Sequence, residues 1–494
     1  MNATISFVLR IIPCLLAINA LSLPTTGHMA RAGSPADGDI FPETAGGRIA
    51  EEWFRAFNSG DAEVMSRFQL EHDSETLLSR MDEDRRRNMY LGVYGQTGRI
   101  TPDRILKDEP ARISVLARSE KGEWLEVELR FESDTGKIAG IMLRPSGPPG
   151  DIPLEGPMSE SAALAGIKEA LEDLTRNDEF SGTALIASDG DAVFAEPFGM
   201  ANREFSVPNR IDTKFNIGSI NKIFTKTAVA MLLSEGSLSL DDQIGDFLPE
   251  YANREAAEKV TVRHLVQMSS GIGDFFGEQF AATPKSRLRT LEDYLPLFAG
   301  EPLEFEPGTG NRYSNGGYIV LGLIIEKASG EDYYDYVRRS IFEPIGMMDT
   351  DSYEADEIVS NLACGYTKFG PEEEEAVELR RNIYTRPARG SSAGGGYSTA
   401  HDLLKFVNAV FSNALLPPEY NAWILGGPEP GGREQGDRDW EPGGIALAGG
   451  APGINSYIDI GAPEDYTIIV MTNLDPPTAM RTGGLIRRWL DNIE

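Results

Sequence analysis

The sequence predicts an α/β (α+β) protein of two domains: a small domain of helices followed by strands, then a larger one in which an antiparallel sheet with flanking helices carries a helical lobe. Three observations predict this. Strand-like runs stand at both ends of the region 159–494, in SGTALIASDGDAVFAEPFG and NSYIDIGAPEDYTIIVMTN, while the middle reads mostly helical. The stretch RPSGPPGDIPLEGP is dense in Pro and Gly, which stiffens the backbone and forbids helix, so it marks a boundary. Upstream of it, helical spacing gives way to alternating apolar and polar residues. At 494 residues the chain is long enough for more than one core.

Residues 1–30 carry Arg10, the apolar run IIPCLLAINALSL and small residues around Ala20 and Ser22, the layout of a secretory signal peptide. The expected location is therefore outside the cytoplasm, periplasmic or secreted, with membrane attachment only if this segment stays uncleaved. Its removal leaves Cys364 as the sole cysteine, so no intrachain disulfide forms. In NLACGYT that residue reads as a buried small hydrophobe.

The first domain is expected over 46–145. In GGRIAEEWFRAFNSGD, Ile49, Trp53, Phe54 and Phe57 recur at helical spacing, and Ser59-Gly60 ends the helix. ARISVLARS, WLEVELRFE and KIAGIMLRP then alternate as strands, with turns at Lys121-Gly122 and 134–136. This order, with the AFNSGD helix end, resembles the cone-shaped NTF2-like domains. The resemblance implies a hollow that binds a ligand or pairs with a second copy, hence a homo-oligomer through this domain. The second domain, 159–494, opens with the helix SAALAGIKEALEDL. Asp189-Gly190 separates two apolar runs as in a tight hairpin, and the chain closes with the helix around AMRTGGLIRRWLDN.

A formal net charge of -31 repels phosphate backbones, which argues against nucleic acid as a partner. The one basic cluster, Arg85 to Arg87, lies among acids and reads as a solvated helix face. No Cys and His cluster has metal-ligand spacing, so neither metal nor cofactor is expected.

Chemistry concentrates in KFNIGSINKIFTKTAVAMLLSEGSL. Ser219 stands at the start of an apolar helix, where free backbone N–H groups and the helix dipole favour a developing negative charge. Lys222 follows one turn on, within reach of the Ser219 hydroxyl. An amine desolvated by apolar walls can accept that hydroxyl's proton. Taken alone, the tetrapeptide equally suits a capping serine and a solvated lysine. It is, however, the only Ser-x-x-Lys in the chain. A second element, Tyr313-Ser314-Asn315, lies in a Gly-rich turn before another apolar helix. Its phenol can share proton traffic, and its amide can hold a substrate carbonyl or the lysine. Tyr251-Ala252-Asn253 repeats the pattern but reads as the end of a helical segment without glycines. In the third element, Leu447 to Gly453, Gly449 and Gly450 line a strand edge whose N–H groups can face an oxyanion unblocked by side chains. The histidines His28, His72, His264 and His401 stand near no Gly-x-Ser-x-Gly elbow, and a Ser-His-Asp triad is set aside.

Residues from about 165 to 490 resemble the class C β-lactamase and penicillin-binding-protein superfamily, β-lactamase/transpeptidase-like in fold and including an esterase branch. Its motif set is Ser-x-x-Lys, Tyr-x-Asn, and Lys-Thr-Gly or His-x-Gly, in that order. VRHLVQMSSGIGDF, FEPIGMMDT and SSAGGGYSTAHDLLKF look like the family's lobe. The resemblance implies Ser219 as the acylated nucleophile, Lys222 and Tyr313 as the proton-transfer pair, Asn315 in substrate binding, and the N–H groups of Ser219 and Gly450 beside Gly449 as the oxyanion hole. At the third motif this chain departs, with Leu447 and Ala448 before the retained Gly449. Leucine cannot donate to a carboxylate. The expectation is a serine hydrolase acting on a small-molecule or peptide acyl substrate, ester or amide. The alternatives are a weakened or inactive penicillin-binding-like scaffold and a D-amino-acid (D-Ala-D-Ala) peptidase.

Overall fold

The computed structural model describes residues 40–493 apart from 79–82, 123, 133, 147–157, 370–374, 431–444 and 462–465. The expected signal segment, Cys14 and most of the Pro- and Gly-dense boundary lie outside the described residues, as do the side chains of Asp84 and Arg85. Two compact units result, the first reaching Gly156 and the second running Pro157–Glu494.

The first unit has three long helices, α1 (Ala45–Phe57), α2 (Ala62–His72) and α3 (Glu83–Thr97). A four-stranded antiparallel meander follows: β1 (Ile100–Glu109), β2 (Arg112–Ser119), β3 (Trp124–Phe131) and β4 (Ile138–Ser146). α1 starts where the Thr44 hydroxyl accepts from the Gly47 N–H at 3.0 Å, satisfying one of the amides a helix start leaves unpaired. Its apolar stripe is Trp53, Phe54 and Phe57, buried against Val115, Ala117, Val127 and Leu129 of the sheet. Trp53 and Phe57 stack with centroids 5.0 Å apart. The strand β1 is absent from the sequence reading. ITPDRILKDE carries Pro102 and charges, and its pairing with β2 slips twice, between Pro102 and Arg104 and between Ile105 and Lys107, which erases the period of two.

Asp73, buried at the end of α2, has a carboxyl whose charged form burial disfavours. Desolvation pushes its carboxyl up to about 7, against smaller opposing pulls from Arg86 and Lys137, and its Oδ1 has no hydrogen-bond partner among the described residues. The folded chain therefore holds this proton through a window in which the unfolded chain has lost it. Stability from this group is complete below the usual carboxylate range and is lost as pH rises through about 7. The ceiling on that loss is about 4 kcal/mol. Asp73→Asn is expected to flatten the fall of the thermal midpoint between about pH 5 and pH 8. Glu326 is likewise raised to about 7 by burial, so the quantity to measure is the difference between variant and wild type. Parallel profiles would refute the assignment.

In the second unit α4 (Glu160–Arg176) leads into β5 (Gly182–Ser188) and β6 (Asp191–Phe198). Asp189 and Gly190 both take positive φ, 51° and 82°, as a two-residue hairpin turn of this twist requires. The helical lobe includes α5 (Lys222–Ser234), α6 (Asn315–Ser329) and α7 (Ala400–Phe411). The chain then returns as β7 (Ile445–Ala451), β8 (Ile454–Ile460) and β9 (Thr467–Thr472), ending in α8 (Thr478–Leu490). The sheet order is β7-β8-β9-β5-β6, all neighbours antiparallel, so strands from both ends of the unit close one sheet as the sequence predicts. Alternate residues serve its two faces. Ala184, Ile186, Ile468 and Val470 pack on Ile167 and Leu171 of α4 and on Leu485 and Ile486 of α8. Leu185, Ala187, Ile469 and Met471 join the core of the lobe, where α5 and α6 are buried nearly all round.

Cys364 departs from expectation. It is half-exposed, and its sulfur accepts from Asn202 Nδ2 at 3.3 Å and from Arg381 at 3.6 Å. Both of these neighbours of the sulfur are polar, an amide and a guanidinium.

Candidate active site

The nucleophile turn is a single 3-10 turn, Gly218–Asn221, that runs directly into α5 at Lys222. Ser219 thus lies one short turn ahead of the α-helix rather than on it. With three residues per turn, positions 219 and 222 eclipse, which brings the two side chains together. Gly218 takes φ +51°, and a Cβ there would lie 2.7 Å from the Gly450 backbone nitrogen. A Cβ on Gly449 would lie 2.0 Å from the Ile217 carbonyl oxygen and 2.8 Å from the Ser219 nitrogen. The edge of β7 therefore presses backbone to backbone on the turn, and only glycine fits at either position. The same approach packs Gly449 against the Ser219 nitrogen and the Gly450 nitrogen against Gly218.

Ser219 Oγ accepts from the Tyr313 phenol at 2.7 Å and stands 3.4 Å from Lys222 Nζ. The Ser219 side chain caps neither the turn nor α5; the cap positions, Ile217 and Asn221, have no side-chain cap bond. Lys222 is 7% exposed, not the solvated lysine that the tetrapeptide alone would allow. Its amine donates to Asn315 Oδ1 at 2.6 Å and to the Ala393 carbonyl. Two rings flank the amine, Tyr313 at 4.7 Å and Tyr318 at 5.5 Å from their centroids. Burial pushes the Tyr318 phenol well above the ordinary tyrosine range, so that ring stays neutral and offers its face only.

Tyr313 and Asn315 arrive from the start of α6. Ser314 caps that helix by accepting from the Gly317 N–H at 2.8 Å. Capping fixes the serine between them, and the extended backbone at 314 sends its two neighbours toward the amine and the hydroxyl. The repeat at 251–253 does something else. Asn253 starts a new short helix, accepting from the Ala256 N–H at 3.0 Å, and Tyr251 is buried. His264 is also structural, since its Nδ1 accepts from the Thr261 N–H at 3.2 Å in a capping box.

The Ala393 carbonyl is a site group that no motif of the sequence announces. The run SSAGGG wraps the nucleophile turn opposite β7. Gly395 N–H donates to the Gly218 carbonyl at 3.2 Å, Asn221 Nδ2 to the Ser391 carbonyl at 2.9 Å, and Ile217 N–H to the Gly396 carbonyl at 2.8 Å. Its glycines were the available signal, because close backbone approach requires them. Leu447, two residues before Gly449 on β7, is half-buried and packs on the lobe core, leaving no donor from that side chain. Among the described residues no three metal-binding side chains come together.

The family model described as Beta-lactamase matches residues 167–491, more than half of the chain. Over 260 residues the chain is 31% identical to penicillin-binding protein 4* of Bacillus subtilis (strain 168), a match covering 51% of this chain and 56% of that protein. Over 291 residues it is 28% identical to esterase EstB of Burkholderia gladioli, covering 53% and 73%. The chain thus spans little more than half the length of the Bacillus subtilis relative. A penicillin binding protein from Bacillus halodurans has a similar solved structure, with TM-score 0.55 and 30% identity, covering 62% of this chain and 96% of that one. By matched sequence and by fold alike, the chain belongs to the Beta-lactamase family, in which it is similar to a penicillin-binding protein and an esterase.

Proposed function

We propose that this protein cleaves an acyl ester or amide through an acyl-enzyme on Ser219. One observation carries the reading: a half-buried hydroxyl stands between a phenol at 2.7 Å and an amine at 3.4 Å. A neutral amine has two hydrogens and one lone pair. Lys222 directs hydrogens to Asn315 Oδ1 and the Ala393 carbonyl, which leaves the lone pair for the Ser219 proton. As Ser219 Oγ bonds to the acyl carbon, its proton passes to the Lys222–Tyr313 pair. The oxyanion is met by the amides of Ser219 and Gly450. The pair then returns the proton to the leaving group as the acyl bond breaks, and water releases the acid by the reverse sequence.

Leu447 favours substrates without a terminal carboxylate, because a side chain with no donor cannot hold one. Short esters and amides therefore suit this site better than β-lactams or D-alanyl peptides. A fluorophosphonate is expected to add to Ser219, seen as a single mass shift on the intact chain and mapped to that peptide. An unmodified wild type would count against the acyl-enzyme. The first unit is read as an NTF2-like domain, supported by helices preceding an antiparallel meander around Trp53 and Phe57. Export is supported by the apolar run that follows Arg10. Amino-terminal sequencing of the mature protein tests it, and a cytoplasmic chain beginning at Met1 would refute it.

A further inference from the structure

Asn315 is held from two sides by groups of opposite hydrogen-bonding character. Lys222 Nζ turns a hydrogen to Asn315 Oδ1 at 2.6 Å. Asp274, as a carboxylate, can only accept. Its Oδ2 takes the Asn315 Nδ2 at 2.7 Å and the Asn315 backbone N–H at 3.3 Å. Only one orientation of the carboxamide satisfies both neighbours. Turned over, it would set Oδ1 against a carboxylate, losing that bond, and point Nδ2 at the amine, where it would compete with the Ser219 proton for the lone pair.

Asp274 is itself fixed. Its Oδ1 accepts from the Phe276 N–H at 3.0 Å, and the preceding Gly273 carbonyl accepts from Ser314 Oγ at 2.9 Å. A Cβ on Gly316 would lie 2.5 Å from that same carbonyl, so this turn and the start of α6 are in backbone contact. The segment SSGIGD, residues 269–274, therefore ends in a carboxylate clamped on the amide that touches the lysine.

We infer that Asp274 is the positioning residue of this active site: through Asn315 it keeps a carbonyl oxygen on Lys222, and so aims the amine's remaining lone pair at Ser219. This inference rests on the acyl-enzyme reading. Nδ2 carries a second hydrogen, which Asp274 leaves free for an acyl carbonyl. A carboxylate that only tied the turn to α6 would affect folding, whereas a positioning carboxylate affects kcat through Asn315 alone.

The test is a double-mutant cycle in the full chain with p-nitrophenyl acetate. Asp274→Ala is expected to lower kcat about thirtyfold, the scale of a lost hydrogen bond to a charged group, with KM little changed. Asp274→Asn, whose carboxamide oxygen can still accept, is expected to restore most of kcat. In an Asn315→Ala background, Asp274→Ala is expected to cost nothing further. Equal losses in the two backgrounds, or a rise in KM alone, would overturn the inference. If the alanine variant does not fold, Asp274→Leu fills the volume without an acceptor and takes its place. A second readout is independent of turnover: competitive acetylation of the Lys222 amine by acetic anhydride, followed by peptide mass spectrometry. Severalfold faster modification in the alanine variant, but not in the asparagine one, is expected. Unchanged reactivity would overturn the inference. A wild type inert toward ester and fluorophosphonate would refute the acyl-enzyme alone, and the acetylation rates would still decide the role of Asp274.

Discussion

Ser219→Ala is expected to reduce ester hydrolysis to the uncatalysed background, a loss on the order of 10⁴-fold or more, while the protein stays folded. The two halves of this expectation have separate grounds. The hydroxyl is the group on which the Tyr313 phenol and the Lys222 amine converge, so its removal leaves the pair with no nucleophile to activate. Stability is spared because Ser219 caps neither its own turn nor the helix that follows. A helix-capping serine would behave oppositely, losing about 1 kcal/mol of stability and no activity. Initial rates on p-nitrophenyl acetate, taken with the thermal midpoint of the same preparation, separate the two. Wild-type rates in the alanine variant would end the enzymatic reading of this site.

The second large effect is expected at Lys222. Lys222→Met keeps the length and apolar stem of the side chain and deletes the amine. It is expected to cost about 10³-fold in kcat, within the range of a positioned proton acceptor. Stability is expected to change little, because the apolar side chain removes the desolvation cost of the buried amine while it leaves Asn315 Oδ1 and the Ala393 carbonyl without that donor. Lys222→Arg is expected to be equally inactive, since a guanidinium does not give up its proton in proteins and its planar fork does not fit between Asn315 Oδ1 and the Ala393 carbonyl. Stopped-flow acylation rates check the first expectation and denaturant midpoints the second. A methionine variant that acylates at the wild-type rate would move the proton-transfer role to Tyr313 alone.

These effects follow from features that differ in how far the chain discloses them. Ser219 and Lys222 lie three residues apart, so local helical geometry already puts them together, and the apolar residues after them announce a buried helix. The hairpin at Asp189-Gly190 is similarly local, because positive φ at both positions favours those residue types. Tyr313 is harder. The pattern Tyr-x-Asn occurs twice, and only the fold separates the copy that reaches Ser219 from the copy whose asparagine caps a helix at Ala256. The strand Ile100–Glu109 is hidden because two slips in register break the alternation by which strands are recognised.

By itself the sequence determined the chemistry on offer: a hydroxyl and an amine one turn apart, a phenol and an amide in a glycine-rich turn, and a glycine-lined strand edge with a leucine two residues before its first glycine. These are side-chain identities and short spacings, which local geometry carries. Tertiary structure alone decided which groups meet. The Ala393 carbonyl is a backbone atom that every residue possesses, so no residue type marks it as the amine's partner. Asp274 acquires its role from an asparagine 41 positions away. Both contacts exist because the lobe's core folds distant segments onto one turn, and hydrogen-bond direction then leaves each group a single orientation.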